Sequence, residues 1–404
     1  MSSAPLTLIL NAGSSSLKLT VFTGERVTLR SATERINQIG EKRPFWIAGP
    51  DEQDILRGTL PTDDRSKLLQ VVLDTLAKRF SEGRIAAVGH RVLHGGALFT
   101  EPVRVTPDIL SALETLVPLA PMHQSQNLAG IRTVARLLPG VPQVVCFDTA
   151  FHSTMPKLER MLGLPRAYFE KGVRRYGFHG LSYESIADRL SGIDQRAAAG
   201  RTVVCHLGSG ASVCAMLAGK SIATTMSSTP LDGLLMGTRA GAIDPGVVLY
   251  LLRHEQMTLD QVERLLTHES GLLGVSGISS DVRDLLASDA PEAAEAVNLF
   301  CYRVAREIGA MVAALEGLDA IVFTGGIGEN SPEIRDKVCS RLKWLGVQLN
   351  HTANQAGDIR LNTAESRVSI LRVPADEEAV IARHVASVLA GETVLPSSTS
   401  WGAS

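Results

Sequence analysis

In LTLILNAGSSSLKLTVF, residues 6–22, two apolar runs flank six small or polar residues, Asn11 to Ser16, and Lys18 follows almost at once. Such a turn exposes backbone N–H groups that can converge on an anion, with a lysine to neutralise it. Asn11 supplies a neutral oxygen able to hold Mg²⁺ directly or through water. The turn is not a P-loop, since GxxxxGK[ST] is absent and a strand rather than a helix follows. Taken alone, Lys18 reads equally as a solvated strand lysine, and the glycine and serines as a tight turn.

Two further small-residue loops end apolar runs: HLGSG at 206–210 and GGIGE at 325–329, the latter followed by Ser331-Pro332 as the start of a helix. Strand, Gly-Gly turn and helix N-terminus suit the α-phosphate and ribose of a nucleotide. Three such loops together point to a cleft between domains. Arg91 in GHRVLHGG, Arg239 in MGTRAG and His179 in YGFHG stand among glycines, where backbone can approach a ligand and no long neighbour shields the charge. Singly, each is as well explained by a structural ion pair. Jointly they fit a pocket that gathers negative charge, as a phosphoryl-transfer transition state requires. Asp148 in CFDTAFH follows the run QVVCF, where carboxylates meet ligands at a sheet edge, or else caps the next turn. His123 in APMHQSQN and Glu377 in PADEEAV are equally ambiguous, Glu377 reading also as first-turn helix charge.

The elements that must position these groups are short β-branched runs (LTLIL, LKLTVF, AAVGHRVL, QVVCF, TVVCHLG, ASVCAML, AIVFTGG, VSILRV) alternating with helical stretches such as SKLLQVVLDTLAKRF. In AEAVNLFCYRVAREIGAMVAAL, Val297, Phe300, Val304, Ile308 and Met311 recur at helical spacing. The class is α/β with hairpins mixed into the sheets. LTLILNAGSSSLKLTVF is echoed by TVVCHLGSGASVCAML about half a chain later, so two related domains are expected: 1–150 plus 376–404, and 151–375. GEKRPFWIAGPDEQD, 40–54, reads as a surface excursion and LPSSTSWGAS as a frayed tail.

The 404 residues, 45% hydrophobic and 20% charged with net charge −2, describe an ordinary globular protein with no call for a polyanionic partner, so nucleic acid is not expected. Five cysteines without CxxC spacing indicate neither a disulfide framework nor a thiolate zinc site, and reduced thiols in a cytoplasm are the default. The N-terminus has no basic region ahead of its short apolar run, unlike a secretory signal. No run of ~18 uncharged apolar residues exists, so no membrane span is expected.

These motifs, in this order, resemble the acetate kinase family of the acetate and sugar kinase and actin-like ATPase superfamily. LILNAGSSSLK and GHRVLHGG match its two diagnostic motifs, and APMH, FDTAFH, YGFHG, HLGSG, MGTRAG, SSDVRD, FTGGIGEN and DEE follow over residues 6 to about 390. The resemblance implies two actin-like ATPase domains with mixed sheets flanked by helices and a cleft between them. It implies Mg²⁺-dependent, reversible phosphoryl transfer from ATP to acetate by direct in-line attack of the carboxylate, with cleft closure excluding water. Mn²⁺ could stand in for Mg²⁺, and a homodimer is implied.

By the same resemblance, Asn11 and Glu377 hold the metal, Lys18 meets the nucleotide phosphates, and Arg91 binds the carboxylate. Arg239 and His179 meet the transferring phosphoryl group, and Asp148 positions the reacting groups or acts in acid–base fashion. The nucleotide is framed by His206, Leu207, Gly208, Ser209 and Gly210, by Asp281, Val282 and Arg283, and by Gly325, Gly326, Ile327, Gly328 and Glu329. His123 lies with the substrate, whose methyl pocket is matched by Leu93, Met122, Phe178 and Pro230. The family usually has HLGNG where this chain has Ser209, and Ala223, Ser227, Ser228, Ala240 and Ala242 replace an acid, Gly, Phe, Ser and Asp. Leu93 and Met122 stand where Val and Leu are commoner. The alternatives are a kinase for propionate or another short carboxylate, and a catalytically impaired nucleotide-binding regulator.

Overall fold

The computed structural model describes residues 5–12, 17–33, 43–49, 54–60, 65–79 and 85–391. The Gly13–Ser16 turn and the tail LPSSTSWGAS lie outside them. The chain divides into two compact units, with breaks after Ala150 and after Ala375; the segment from Asp376 returns to the first unit.

In the first unit the strands are β1 (Leu6–Ala12), β2 (Leu17–Thr23), β3 (Arg26–Thr33), β4 (Arg43–Ala48), β5 (Asp54–Leu60), β6 (Ile85–Val92), β7 (Val103–Arg104) and β8 (Gln143–Phe147). They form one sheet in the order β5-β4-β3-β2-β1-β6-β8-β7. β1 pairs antiparallel with β2 and parallel with β6, and β6 pairs parallel with β8. Side chains alternate between faces. Leu6, Leu8, Leu10 and Val88 therefore join one core with Leu69, Val72 and Val134 of the helices Arg65–Arg79 and Pro121–Leu137. Ile9 and Gly89 turn to the opposite face, under the helix Glu377–Ala390. A Cβ on Gly89 would lie 2.6 Å from Ile381, 2.7 Å from Val385 and 2.8 Å from Ile9.

One expectation from the sequence fails here. Segment 40–54 is no surface excursion over its described part, because Phe45 and Ile47 alternate with Trp46 and are buried in the core as β4, between β3 and β5. The glycines of GHRVLHGG also serve packing: Gly89 admits the helix, Gly95 would clash with Phe99 O at 2.3 Å if it bore a Cβ, and Gly96 has a positive φ beside Leu116.

In the second unit the strands are β9 (Arg201–Leu207), β10 (Ala211–Leu217), β11 (Lys220–Thr224), β12 (Ala320–Thr324) and β13 (Ser369–Arg372), ordered β11-β10-β9-β12-β13. The antiparallel meander β9-β10-β11 followed by parallel β12 and β13 repeats the pattern β1-β2-β3, β6, β8 of the first unit. The echo heard in the sequence is thus a duplicated sheet. Val204, Cys214, Met216, Val322 and Leu371 face the helix Gly180–Ile193, through Tyr183, Ile186 and Leu190. Among the described residues no helix is long and apolar enough to cross a membrane.

Candidate active site

Strand alternation decides which side chains of the first unit meet. Asn11 follows Ile9 on the face of the helix Glu377–Ala390, Arg91 follows Gly89 on the same face, and Asp148, one residue past Phe147 of β8, falls beside Arg91. The Arg91 guanidinium donates from Nε to Asp148 Oδ1 (2.9 Å) and from Nη2 to Asp148 Oδ2, and from Nη1 to Asn11 Oδ1 (3.2 Å). With its oxygen taken, Asn11 donates from Nδ2 to Glu377 Oε2 (2.9 Å) and Glu378 Oε1 (2.8 Å). Asp148 is fully buried. Burial alone would lower the Arg91 pKa, but Asp148 first, then Glu377 and Glu378, raise it above the ordinary arginine range.

Lys18, directly across from Asn11 in the hairpin register, is exposed. Asp148 is a buried ion-pair partner of Arg91. Leu93 is buried, its N–H donating to Asn127 Oδ1 (3.0 Å). His123 is half-buried in the first turn of Pro121–Leu137, and the side chain of Met122 lies outside the described residues.

In the second unit the same logic sets His206 and Ser212, directly opposed across β9 and β10, on the face of the helix Gly180–Ile193. His206 Nδ1 lies 2.8 Å from Ser182 Oγ. Its ring stacks on that of His179 at 4.1 Å between centroids, and His179 Nδ1 lies 2.8 Å from Ser212 Oγ. His179 occupies the left-handed region, φ 59°, just before that helix. A non-glycine residue there signals a conformation imposed by its surroundings. His152 fixes the preceding residue, donating from Nε2 to Phe178 O (2.9 Å), while its Nδ1 sits 2.8 Å from Ser221 Oγ. Burial pushes the His152 pKa down to about 4, so the ring is neutral.

Arg239 is held by Pro230 O, 2.6 Å from Nη1. A Cβ on Gly210 would stand 2.9 Å from Arg239 Nη2 and 3.2 Å from His179 Nε2, so these two groups converge on that loop. Gly237 N donates to Ser209 O (3.3 Å), and a Cβ on Gly237 would lie 3.1 Å from Ser280 O, next to Asp281, buried Val282 and Arg283. Asp281 caps the helix Val282–Leu286 and pairs with the Arg283 guanidinium, Oδ2 to Nη2 at 2.7 Å. Gly325, φ +76°, sits against Leu207 O, and a Cβ on Gly208 would be 3.8 Å from Gly326 N. The loops at 206–210, 237–239, 280–283 and 325–329 are thus neighbours within one unit.

The Gly-Gly segment is not a bare turn, since Gly325–Asn330, with Ile327 and Gly328, is itself a short helix before Pro332–Ser340. Glu329 is spent inward, its Oε1 accepting from Gly325 N (2.9 Å), Thr324 Oγ1 (3.2 Å) and Ala375 N (3.2 Å). Buried Arg335 donates to Gly328 O and Glu329 O, each at 2.9 Å.

The segment 223–242 is tied down despite its small residues. Arg175 Nη1 donates to Thr224 O, Thr225 O and Met226 O at 3.0, 3.3 and 3.2 Å. Ser227 O accepts from Tyr176 N and Gly177 N, Ser228 Oγ donates to Arg174 O, and Ala240 N and Ala242 N donate to Leu266 O and Gly233 O. Ala223 is buried in β11. Leu93 belongs to the first unit, Phe178 and Pro230 to the second.

Sequence reasoning missed Ser182, Tyr183, Ser212, Arg175 and Arg335. Of these only Ser212 carried a signal, as the residue opposite His206 in the second hairpin.

The sequence model of the Acetokinase family matches residues 6–383. An acetate kinase of Rhodopseudomonas palustris (strain ATCC BAA-98 / CGA009) is 51% identical over 387 residues, covering 94% of this chain and 97% of that protein. Among solved structures, a propionate kinase from Francisella tularensis subsp. tularensis SCHU S4 aligns with a TM-score of 0.88 at 32% identity, covering 95% of this chain and all of that one. Porphyromonas gingivalis acetate kinase aligns with a TM-score of 0.83 at 34% identity, covering 96% and 100%.

Proposed function

The chain belongs to the acetokinase family, and from that premise we propose that it reversibly transfers the terminal phosphoryl group of ATP to acetate, giving acetyl phosphate and ADP. A carboxylate is already an anionic nucleophile, so the obstacle is bringing two anions together in line, and fixed cations and N–H donors lower it. The observation that carries the reading is the bidentate Arg91–Asp148 pair tied through Asn11 to Glu377 and Glu378. Asp148 orients the guanidinium by its Nε and Nη2 edge. Three of the five guanidinium N–H donors are engaged, and the two that remain suit the oxygens of a substrate carboxylate. In the second unit Arg239 and His179 would meet the phosphoryl group beside Gly210, with the four glycine-rich and helix-capping loops taking the nucleotide. Lys18 would meet its phosphates.

Mg²⁺ fits the first unit. Three carboxylates gather about one guanidinium there, leaving an excess of negative charge on hard oxygen donors. Among the described residues no cluster of three His, Cys, Asp or Glu is arranged as a metal cage. Mg²⁺ keeps several waters and takes one or two carboxylates plus substrate phosphates. Glu377 and Glu378 would hold it, and Asn11, whose oxygen is engaged by Arg91, would act through water. The ion supplies charge neutralisation to the phosphates. A cytoplasmic homodimer completes the proposal.

Hydroxamate trapping of acyl phosphate with acetate, propionate and butyrate, each with ATP or GTP and Mg²⁺, tests it. Acetate with ATP should give the highest kcat/KM. Product from none of the acids would leave a nucleotide-binding regulator, and propionate matching acetate would transfer the assignment to a propionate kinase.

A further inference from the structure

Behind His179 lies a buried chain of hydroxyls that no step above has used. Tyr183, with no exposed surface, places its Oη 2.5 Å from Ser212 Oγ, and Ser212 Oγ is 2.8 Å from His179 Nδ1. Burial first, and the neighbouring Cys214, raise the Tyr183 pKa well above its ordinary value, so the phenol keeps its hydrogen. Ser212 is the one hydrogen-bond partner of the Tyr183 hydroxyl among the described residues, and a buried O–H left without an acceptor costs about 1 to 3 kcal/mol. Tyr183 therefore donates to Ser212. With that lone pair engaged, Ser212 has its own hydrogen to place, and His179 Nδ1 is in reach to accept it. An imidazolium, or the tautomer protonated at Nδ1, would point a second donor at Ser212 Oγ and orphan the serine hydrogen.

We infer that Tyr183 and Ser212 are positioning residues that hold His179 as a neutral imidazole with its hydrogen on Nε2, the atom directed at Gly210 beside Arg239. His179 then serves the transferring phosphoryl group as a hydrogen-bond donor, and Arg239 brings the positive charge. The second imidazole agrees with this division. His206 is stacked on His179 at 4.1 Å with its own Nδ1 at Ser182 Oγ, and two stacked rings at that distance disfavour a cation on both at once. The sequence reading, in which Arg91, Arg239 and His179 all collect negative charge, is narrowed accordingly. No proton leaves the chain during transfer, for the relay fixes where one hydrogen sits and does not move it.

The inference rests on the phosphoryl-transfer reading only for its kinetic test, because the tautomer can be read in the resting protein. In the ¹⁵N spectrum of histidine-labelled full-length protein, assigned by difference against His179→Gln, His179 should show an unprotonated Nδ1 and a protonated Nε2. Ser212→Ala should shift both signals toward exchange between tautomers and lower kcat by about 10- to 100-fold, less than the roughly 10²- to 10³-fold of deleting a donor outright. KM for ATP and for acetate should change by less than about threefold. Ser212→Thr, which keeps the hydroxyl, should recover the wild-type spectrum and most of the turnover, and Tyr183→Phe should fall between. A wild-type spectrum showing imidazolium or the Nδ1–H tautomer overturns the inference, as does Ser212→Ala with unchanged signals and turnover. If Ser212→Ala does not fold, the wild-type spectrum alone decides. Absence of acyl phosphate formation by the wild type would sink the functional reading and leave the tautomer measurement standing.

Discussion

The two duplicated sheets carry different chemistry at matching places. In the first unit the pair before the hairpin's last is Asn11 opposite Lys18; in the second it is His206 opposite Ser212. Past the adjoining parallel strands, the first unit sets Arg91, Asp148 and the acids Glu377 and Glu378, and the second sets Thr324, Gly325 and an inward-turned Glu329. One fold therefore supports a charged network on one copy and a set of glycines, hydroxyls and stacked imidazoles beside Arg239 on the other. Such a division suits a reaction with a metal and a carboxylate on one side and a nucleotide on the other. It also says that the sheet is a scaffold and that the residues at its strand ends decide the chemistry.

Breaking the charged copy should have the largest effect. Asp148→Asn keeps the shape but leaves Arg91 without its anionic partner. Turnover should fall by about 10²- to 10³-fold, and stability by about 3 kcal/mol, as for a buried pair that loses one member. Steady-state kinetics with a denaturant midpoint reads both. Turnover near wild type would mean that Arg91 needs no orienting carboxylate.

On the neutral copy two glycines separate structure from function. Gly325→Ala places a Cβ 2.7 Å from Leu207 O at φ +76° and should cost about 1 to 3 kcal/mol of stability. Gly210 has no positive φ, and the nearest groups to an added methyl are the side chains of Arg239, at Nη2, and His179, at Nε2. Gly210→Ala should keep the melting temperature of the wild type and lose about 10- to 100-fold in kcat. If Gly210→Ala melts early and turns over normally, those side chains do not serve the reaction.

Acyl choice is a finer matter. One methylene in an apolar pocket is worth about 1 to 3 kcal/mol, so acetate should exceed propionate in kcat/KM by about tenfold, and Leu93→Ala should narrow the gap. Because Leu93 is buried, an unchanged ratio in Leu93→Ala would assign it to the core.

The smallest effect expected concerns stability in acid. His90 and His152, one in each unit, have pKa values near 4, lowered chiefly by burial and partly restored by Gln143 and by the Phe178 carbonyl. Since these values lie below the unfolded value of about 6.5, the stability they protect is complete above that pH and is lost as pH falls toward 4. From pH 7 to pH 5.5 each should cost about 1 kcal/mol. Calorimetric melts of His152→Gln should show a shallower acid decline, and an unchanged decline would mean that His152 protonates without penalty.

The duplication was legible in the sequence because both hairpins keep apolar alternation up to their small-residue turns. β4 was not, since the charges of Glu41, Lys42 and Arg43 masked the Phe45 and Ile47 alternation. The glycines around Arg91 looked like room for a ligand, although Ile381, Val385, Phe99 and Leu116, distant in the chain or hidden by the turn, are what fill their surroundings. Tyr183 and Ser212 lie 29 residues apart, and only the register of β9 and β10 brings them to His179. Glu378 stood in the motif DEE, but helical geometry was needed to turn it with Glu377 toward Asn11.

The central claim, that the charged copy acts on the carboxylate and the neutral copy holds the nucleotide, is tested most directly by Arg91→Ala with two readouts on the same preparation. Acyl phosphate formation from acetate should fall by orders of magnitude, while calorimetric affinity for a non-hydrolysable ATP analogue with Mg²⁺ stays within about threefold of wild type. Loss of nucleotide affinity in parallel with turnover would contradict the division.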